Sequence, residues 1–386
     1  MHTLHRHIFL SVLLTCAAAT SLFAFVLLSA NAFKDLLGYA LSGQLPIGVV
    51  LGLLPLLLPY VLVYALPLGV LTGVLLVLGR MSAQLEITAM RAAGLGLGYI
   101  ARPVLLLGVL GAALALYLNF HLMPVARTAY RTTLADAVRQ NPLGLIVPKT
   151  FVNKFPGYIF YVGEKNGGAL QDVWVQRLDK SKRTSELVHA LRGQVDYDER
   201  ANTLQLTLLG LTILDRRNPA NPEIFSNTDF QGKSDPPPAL PPWQLDEVLG
   251  PRTIFQPRPN QLTLEQLLAE RHRLASAPPA ADAATTRTHE QERMKVEVAL
   301  QEKAAGAFTV LTFALFGVPL GIRVSRRETS ANLAVAIAVA LGFYLLTECL
   351  HWLDQYPARR PDLLQWAPPA LLLLLCAWLY RRAARV

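Results

Sequence analysis

The chain has 386 residues, 52% of them hydrophobic and only 16% charged, with a mean hydropathy of +0.33 and a formal net charge of +9. An average soluble domain carries about 25% charged residues, so a single water-soluble globule is excluded. A nucleic-acid partner is not indicated either, because the basic residues fall where membrane topology would place them.

Six charge-free runs are long enough for membrane helices: residues 8–30, 45–79, 103–126, 304–322, 329–347 and 363–380. The first follows a short basic stretch, MHTLHRH. Ala30-Asn31-Ala32 fits a small-x-small cleavage site, but the apolar core exceeds the ~7–15 residues of a signal peptide, so an uncleaved first span is expected. Phe33, Lys34 and Asp35 follow it. A lysine there either pairs loosely with Asp35 or faces a cavity where it meets phosphate on an amphiphile.

The second run is longer than a bilayer needs, and the part around Pro46 is expected outside the lipid. Its prolines, Pro55, Pro59 and Pro67, are tolerated in membrane helices. Gly48/Gly52 and Gly69/Gly73 are two small-xxx-small faces suited to close helix contact. After it comes RMSAQLEITAMRAAGLGLGYIAR, residues 80–102, polar and helix-prone between two apolar arms. Ser82 is expected to cap a helix, Glu86 to sit in its first turn and Gly94 to stop it. Leu85, Ala89 and Ala92 share a face, with Ile87 and Met90 beside them. So apolar a helix outside lipid is expected to dock on a partner rather than serve as a solvated connector.

With a cytoplasmic N-terminus, the inner segments hold Arg6, Arg80, Arg91, Arg102, Arg323, Arg326, Arg327, Arg381, Arg382 and Arg385 against Glu86 and Glu328. The short outer loops hold Lys34, Arg359 and Arg360 against Asp35, Glu348, Asp354 and Asp362. This is the positive-inside pattern, and it places both termini in the cytoplasm. Cys16, Cys349 and Cys376 lie in three separate apolar runs and read as buried small residues.

The segment between the third and fourth spans has soluble composition and lies on the far side. GYIFYVGEK and LQDVWVQRL are expected strands joined at Asn166-Gly167-Gly168, a hairpin signal. ELVHALRG, TLQLTLLG and GLTILDR add three more, and the set suggests a sandwich or jelly roll. PPPALPP is a stiff linker, LTLEQLLAERHRL an amphipathic helix, ASAPPAADAATTRT low-complexity, and HEQERMKVEVALQEK a charged helix feeding the fourth span.

Catalytic motifs fail on inspection. His289-Glu290 opens an H-E-x-x-H pattern, but Arg293 stands where the second histidine is required. Gly232-Lys233-Ser234 resembles the end of a phosphate loop whose leading glycine is replaced by Asn227. The chain is not expected to be an enzyme, and neither a cofactor nor a metal is expected.

LEITAMRAAGL after the second span, FALFGVPLGIRVSRR at the end of the fourth and ALRGQVDYDERANTLQLTLLG in the outer segment resemble the LptF/LptG (YjgP/YjgQ) permease family. The resemblance covers nearly the whole chain. It implies an α-helical membrane protein with six transmembrane helices and a periplasmic β-jellyroll domain inserted between helices 3 and 4. The implied parts are spans 1–3 in 1–125 with a cytoplasmic coupling helix at 81–94, a jellyroll in 126–258, a helical linker in 259–303 and spans 4–6 in 304–386. Such a permease pairs with a sister subunit over a dimeric ATPase in the bacterial inner membrane. It passes lipopolysaccharide to a periplasmic bitopic jellyroll protein (LptC-like). The resemblance puts Leu85, Glu86, Ala89, Met90 and Arg91 in the ATPase-coupling helix, Phe33 and Lys34 beside the lipid phosphates, and the first and fifth spans at the lateral gates. The family's basic run and proline at the start of the fourth span are replaced by Gln301, Glu302, Lys303 and Ala307, so Lys303 alone keeps the charge. The competing reading is a non-transporting membrane scaffold whose outer domain binds a partner.

Overall fold

The computed structural model describes residues 2–41, 45–140, 147–152, 157–178, 184–198, 203–215, 223–227, 243–244, 259–276, 283–324, 329–352 and 360–384. It divides into a helical unit and a second unit built on an antiparallel sheet. The PPPALPP segment and the end of the basic stop after the fourth span lie outside the described residues.

The helices are α1 (His2–Leu41), α2 (Ile47–Ala83), α3 (Glu86–Ala92) and α4 (Leu97–Tyr117), with the end of α1 and the start of α2 counted in the second unit. A π-helical turn (Leu118–Leu122) continues α4 into α5 (Met123–Gln140). A 3-10 turn (Pro259–Gln261) leads to α6 (Leu264–Ala275), α7 (Ala283–Val324), α8 (Thr329–His351), α9 (Pro361–Leu364) and α10 (Ala367–Ala384). Among the described residues, five stretches are long and apolar enough to cross a membrane: Leu4–Ala30, Ile47–Ala83, Leu97–Ala137, His289–Ile322 and Pro361–Arg382. Where a further span is expected, α8 carries the shorter apolar stretch Ala334–Leu350.

Glycines set the packing of α2. A Cβ at Gly69 would lie 2.6 Å from the Thr20 backbone, and one at Gly73 2.6 Å from Cys16 Cα, so α1 and α2 touch backbone to backbone. Gly317 and Gly321 of α7 are closed over by Val74 and Leu78 in the same way. Gly108 and Gly111 of α4 meet Ala314 and Val310. In a membrane, dispersion between closely approached backbones replaces the hydrophobic drive, and small residues permit that approach. A Cβ at Gly48 or Gly52 would meet no atom of the described residues within 4 Å, so the close approach seen at Gly69/Gly73 is not repeated there. Cys16 and Cys376 are buried as expected, but Cys349 is exposed on α8.

The sheet is an antiparallel meander: β1 (Phe151–Val152), β2 (Tyr158–Asn166), β3 (Ala169–Leu178), β4 (Thr184–Asp198), β5 (Thr203–Asp215) and β6 (Glu223–Asn227), with β7 (Trp243–Gln244) also on β5. The expected hairpin is present: Asn166 pairs with Ala169, and Gly167 takes φ +62. TLQLTLLG and GLTILDR, expected as separate strands, form the single strand β5. Gly210 bends it with φ +69 instead of ending it.

A line of irregularity crosses the sheet at that point. Gly163, Asp172, Leu191 and Gly210 fall opposite one another but drop out of the pairing. Asp172 is left-handed at φ +53. On one side of the line the buried positions are Val162, Val173 and Ala190; on the other they are Leu170, Gly193 and Leu208. One extra residue per strand would otherwise turn every later side chain to the wrong face. Shared by four strands, it keeps the buried positions of both halves on one face and bends the strands there. Lys165 lies on this inner face, and burial pulls its ammonium below the usual lysine pKa.

Thr263 caps α6 in a reciprocal box: Gln266 N–H donates to its hydroxyl, and Thr263 N–H donates to the Gln266 side chain. Thr263→Ala is expected to cost about 1 kcal/mol. The measurement is faster amide exchange confined to the first turn of α6, and unchanged exchange there would contradict it.

Candidate functional site

The residues that the sequence singles out at 80–102 form the end of α2, the short buttressed helix α3 and the start of α4. α2 ends at Ala83 and α3 begins at Glu86, with Leu85 left-handed at φ 60 between them. Ser82 does not cap α3. Its hydroxyl donates to the Ile322 carbonyl at 2.9 Å, satisfying an acceptor in the last turn of α7 that helical bonding leaves open. The C-terminus of α3 is a Schellman motif. Gly94 at φ +83 donates to Arg91 O, and Leu95 donates to Met90 O.

Ile87 is 2% exposed and packs with Ile8, Met81, Ile100 and Val104, and Met90 is half-buried against the same cluster. Leu85, Glu86, Ala89 and Arg91 point away, with Leu85 66% exposed. One face of α3 is therefore fixed to α1, α2 and α4. The other offers a leucine, an alanine and two opposite charges.

A cavity of about 290 Å³ opens farther along the same bundle. Tyr60, Tyr64, Asn119, Arg127, Glu302, Lys303, Tyr344, Glu348 and Gln365 are among its lining residues. Lys303 is 6% exposed, and its ammonium donates to the Leu262 carbonyl at 2.6 Å and sits 5.7 Å from the Phe120 ring centre. The π-helical turn explains why two successive residues reach one neighbour. Its added residue brings Phe120 under the ammonium, while Asn119 Nδ2 donates to the Lys303 carbonyl at 3.1 Å. The Arg127 guanidinium lies 5.5 Å from the Tyr60 ring, and the Tyr344 hydroxyl donates to Tyr64 O at 3.3 Å. Gln301 accepts from Trp366 Nε1 at 2.9 Å. The cavity thus brings cations, carboxylates and phenols together at one end of an apolar bundle.

The two places are joined by the parallel pair α2 and α7. Tyr64 to Ala83 and Lys303 to Ile322 each span roughly 30 Å of helix. Gly317 on Val74, Gly321 on Leu78 and the Ser82–Ile322 bond hold the pair together. The contacts run along the pair from the start of α3 toward the cavity.

Residues 6–382 match the family described as lipopolysaccharide export system permease LptF/LptG. The chain belongs to the LptF/LptG family. A search of curated proteins found no match. Family membership, with five apolar helices, makes this LptF/LptG chain a multi-pass membrane protein and a transporter component rather than an enzyme.

Of the residues expected to matter, Glu86, Ala89 and Arg91 lie on the open side of α3 with Leu85 at its N-cap, Met90 turns toward the buried cluster, and Lys303 lines the cavity. The Phe33 and Lys34 side chains lie outside the described residues. Sequence reasoning missed Asn119, Phe120, Arg127 and the tyrosines. A π-helical turn leaves no composition signal, and aromatics in an apolar run read as ordinary span residues.

Proposed function

We propose that the chain is the permease subunit of an ABC transporter that extracts lipopolysaccharide from the outer leaflet of the bacterial inner membrane. It hands the lipid to a periplasmic jellyroll bridge. In this reading α8 is the sixth crossing, both termini are cytoplasmic, and the bent meander is the chain's own contribution to that bridge. The parts are spans 1–3 in 1–125, jellyroll in 126–258, helical linker in 259–303 and spans 4–6 in 304–386. A sister permease completes the substrate chamber, and a separate dimeric ATPase hydrolyses ATP. Lys34 and Phe33 meet the lipid phosphate region, and Lys303 and Arg127 line the chamber's rim.

The observation that carries this reading is α3. It is held by Ile87 on one face, leaves Leu85, Glu86 and Ala89 open on the other, and is bonded through α2 to the end of α7. A docking helix that only anchored a scaffold would not need a packed and hydrogen-bonded α2–α7 pair leading from it to the cavity.

Glu86→Lys reverses the charge in the first turn of α3 without touching the buried face. It is expected to lower nucleotide-dependent lipopolysaccharide release from proteoliposomes at least ~10-fold, equivalent to about 1.4 kcal/mol of coupling. The chain's melting temperature should stay unchanged. Wild-type release in that variant would remove the support for coupling through α3, and the scaffold reading would replace it.

A further inference from the structure

The exposed face of the sheet carries a row of rings. Phe151 pairs with Tyr161, Tyr161 with Trp174, and Trp174 with His189, so all four side chains stand on one face across four neighbouring strands. At about 4.8 Å per strand the row is roughly 14 Å long. Phe151 and Tyr161 have ring centres 5.1 Å apart, and Trp174 and His189 are stacked at 4.0 Å with planes 21° apart. Phe151 is 65% exposed and the other three are half-buried.

Asp172 clamps the row. Its Oδ1 accepts from Trp174 Nε1 at 2.9 Å and lies 2.8 Å from His189 Nε2. It does so from the left-handed backbone of the bulge line, opposite Gly163, where a Cβ would meet the Asp172 side chain at 3.0 Å. Cross-strand aromatic pairs stabilise any sheet, but they need neither a carboxylate on both ring edges nor a strained residue to supply it. The clamp fixes the two rings before anything binds, which is how a ligand platform lowers its ordering cost.

Beyond the line, Glu164, Gln171 and Arg192 pair in register on the same face and are all exposed. A row of rings with an open Phe151 at its edge, bordered by planar carboxylate, carboxamide and guanidinium groups, suits a sugar. The C–H face of a pyranose packs on the exposed Phe151 ring and the outer edges of the stacked pair, and its hydroxyls bond pairwise to planar donors and acceptors. The border carries both signs, so it does not select a polyanion. Acyl chains would choose the opposite, apolar face.

We propose that this face binds saccharide, namely the sugar portion of the lipopolysaccharide that the chain handles; the choice of sugar rests on the permease reading above. The test uses the full chain in nanodiscs and the oligosaccharide released from lipopolysaccharide by mild acid, followed by saturation-transfer NMR and calorimetry. Saturable binding is expected, weakened ~10-fold by Phe151→Ser on the edge strand and lost in Trp174→Ala, with Trp174→Phe within ~3-fold of wild type. Melting curves accompany each variant, and Phe151→Ser, at an exposed position, keeps the test meaningful if Trp174→Ala unfolds. Wild-type binding in Phe151→Ser and Trp174→Phe-like binding in Trp174→Ala would overturn the proposal. So would absence of binding, or equal competition by sugar-free lipid A or by inorganic phosphate. Nucleotide-dependent release of lipopolysaccharide by the assembled transporter is measured separately. Release without oligosaccharide binding sinks the sugar site alone, whereas loss of release in the wild-type assembly sinks the permease reading.

Discussion

Gly69→Val is expected to abolish stable accumulation of the chain, while Gly52→Val on the same helix leaves it unchanged. At Gly69 a Cβ would lie 2.6 Å from both Thr20 Cα and Thr20 N, atoms that cannot rotate away. The helices must then separate, and the contacts at Gly73 and Cys16 one turn along are lost with them. Overpacking of this kind usually costs about 1–3 kcal/mol, and a backbone clash at the centre of a crossing belongs at or above that upper end. Gly52 has no atom within 4 Å, so the same substitution meets open space. A second variant sharpens the point. The Thr20 hydroxyl is the nearest atom to the added carbon, and it has no hydrogen-bond partner among the described residues. Thr20→Ala alone should therefore be nearly neutral. It should not rescue Gly69→Val, because the backbone atoms remain. Rescue would show that α1 and α2 cross farther apart than the structure has them. The readouts are yield in membranes and melting in detergent.

The same glycines show what could be read from the sequence. Gly69/Gly73 and Gly48/Gly52 have identical spacing, yet among the described residues the first pair alone meets a close neighbour, since spacing defines a face and not what lies against it. Five of the six expected spans, the stop at Gly94 and the hairpin at Gly167 were legible because each rests on local chemistry: charge-free length, or a glycine able to take positive φ. The bonds from Ser82 to Ile322 and from Asn119 to Lys303 join residues more than a hundred positions apart, and only packing decides them. Gly210 misled for a related reason. A glycine in an alternating run reads as a strand end, but four strands sharing one bulge line turn it into a bend. At the candidate site, α3 was visible as polar residues between apolar arms, whereas the cavity was hidden inside runs whose composition is uniform.

Lys303 carries the other large expected effect, and three substitutions separate its contributions. Lys303→Arg keeps a cation of similar length and should be tolerated best. Lys303→Met keeps the stem among its neighbours but leaves the Leu262 carbonyl without its donor, at about 1–3 kcal/mol for a buried acceptor. Lys303→Glu places a carboxylate at a position 6% exposed, beside Glu302, against a carbonyl oxygen and near the electron-rich face of Phe120. Breaking a buried charge arrangement in this way costs about 3–5 kcal/mol. The damage should also be localised. Leu262 leads into α6, whose Leu267 packs on Val296 and Ala299 and whose Arg271 pairs with Glu297 at 3.2 Å. Without the ammonium at its entry, α6 should lift from α7 and expose Arg271 and Arg273 to trypsin. The expected order of cleavage within α6 is Glu above Met above Arg, with Arg near wild type. Equal cleavage in all three would mean that Lys303 lines the cavity without fastening α6, and the link from the cavity to the segment beyond it would have to run through Asn260 or the helix backbone alone.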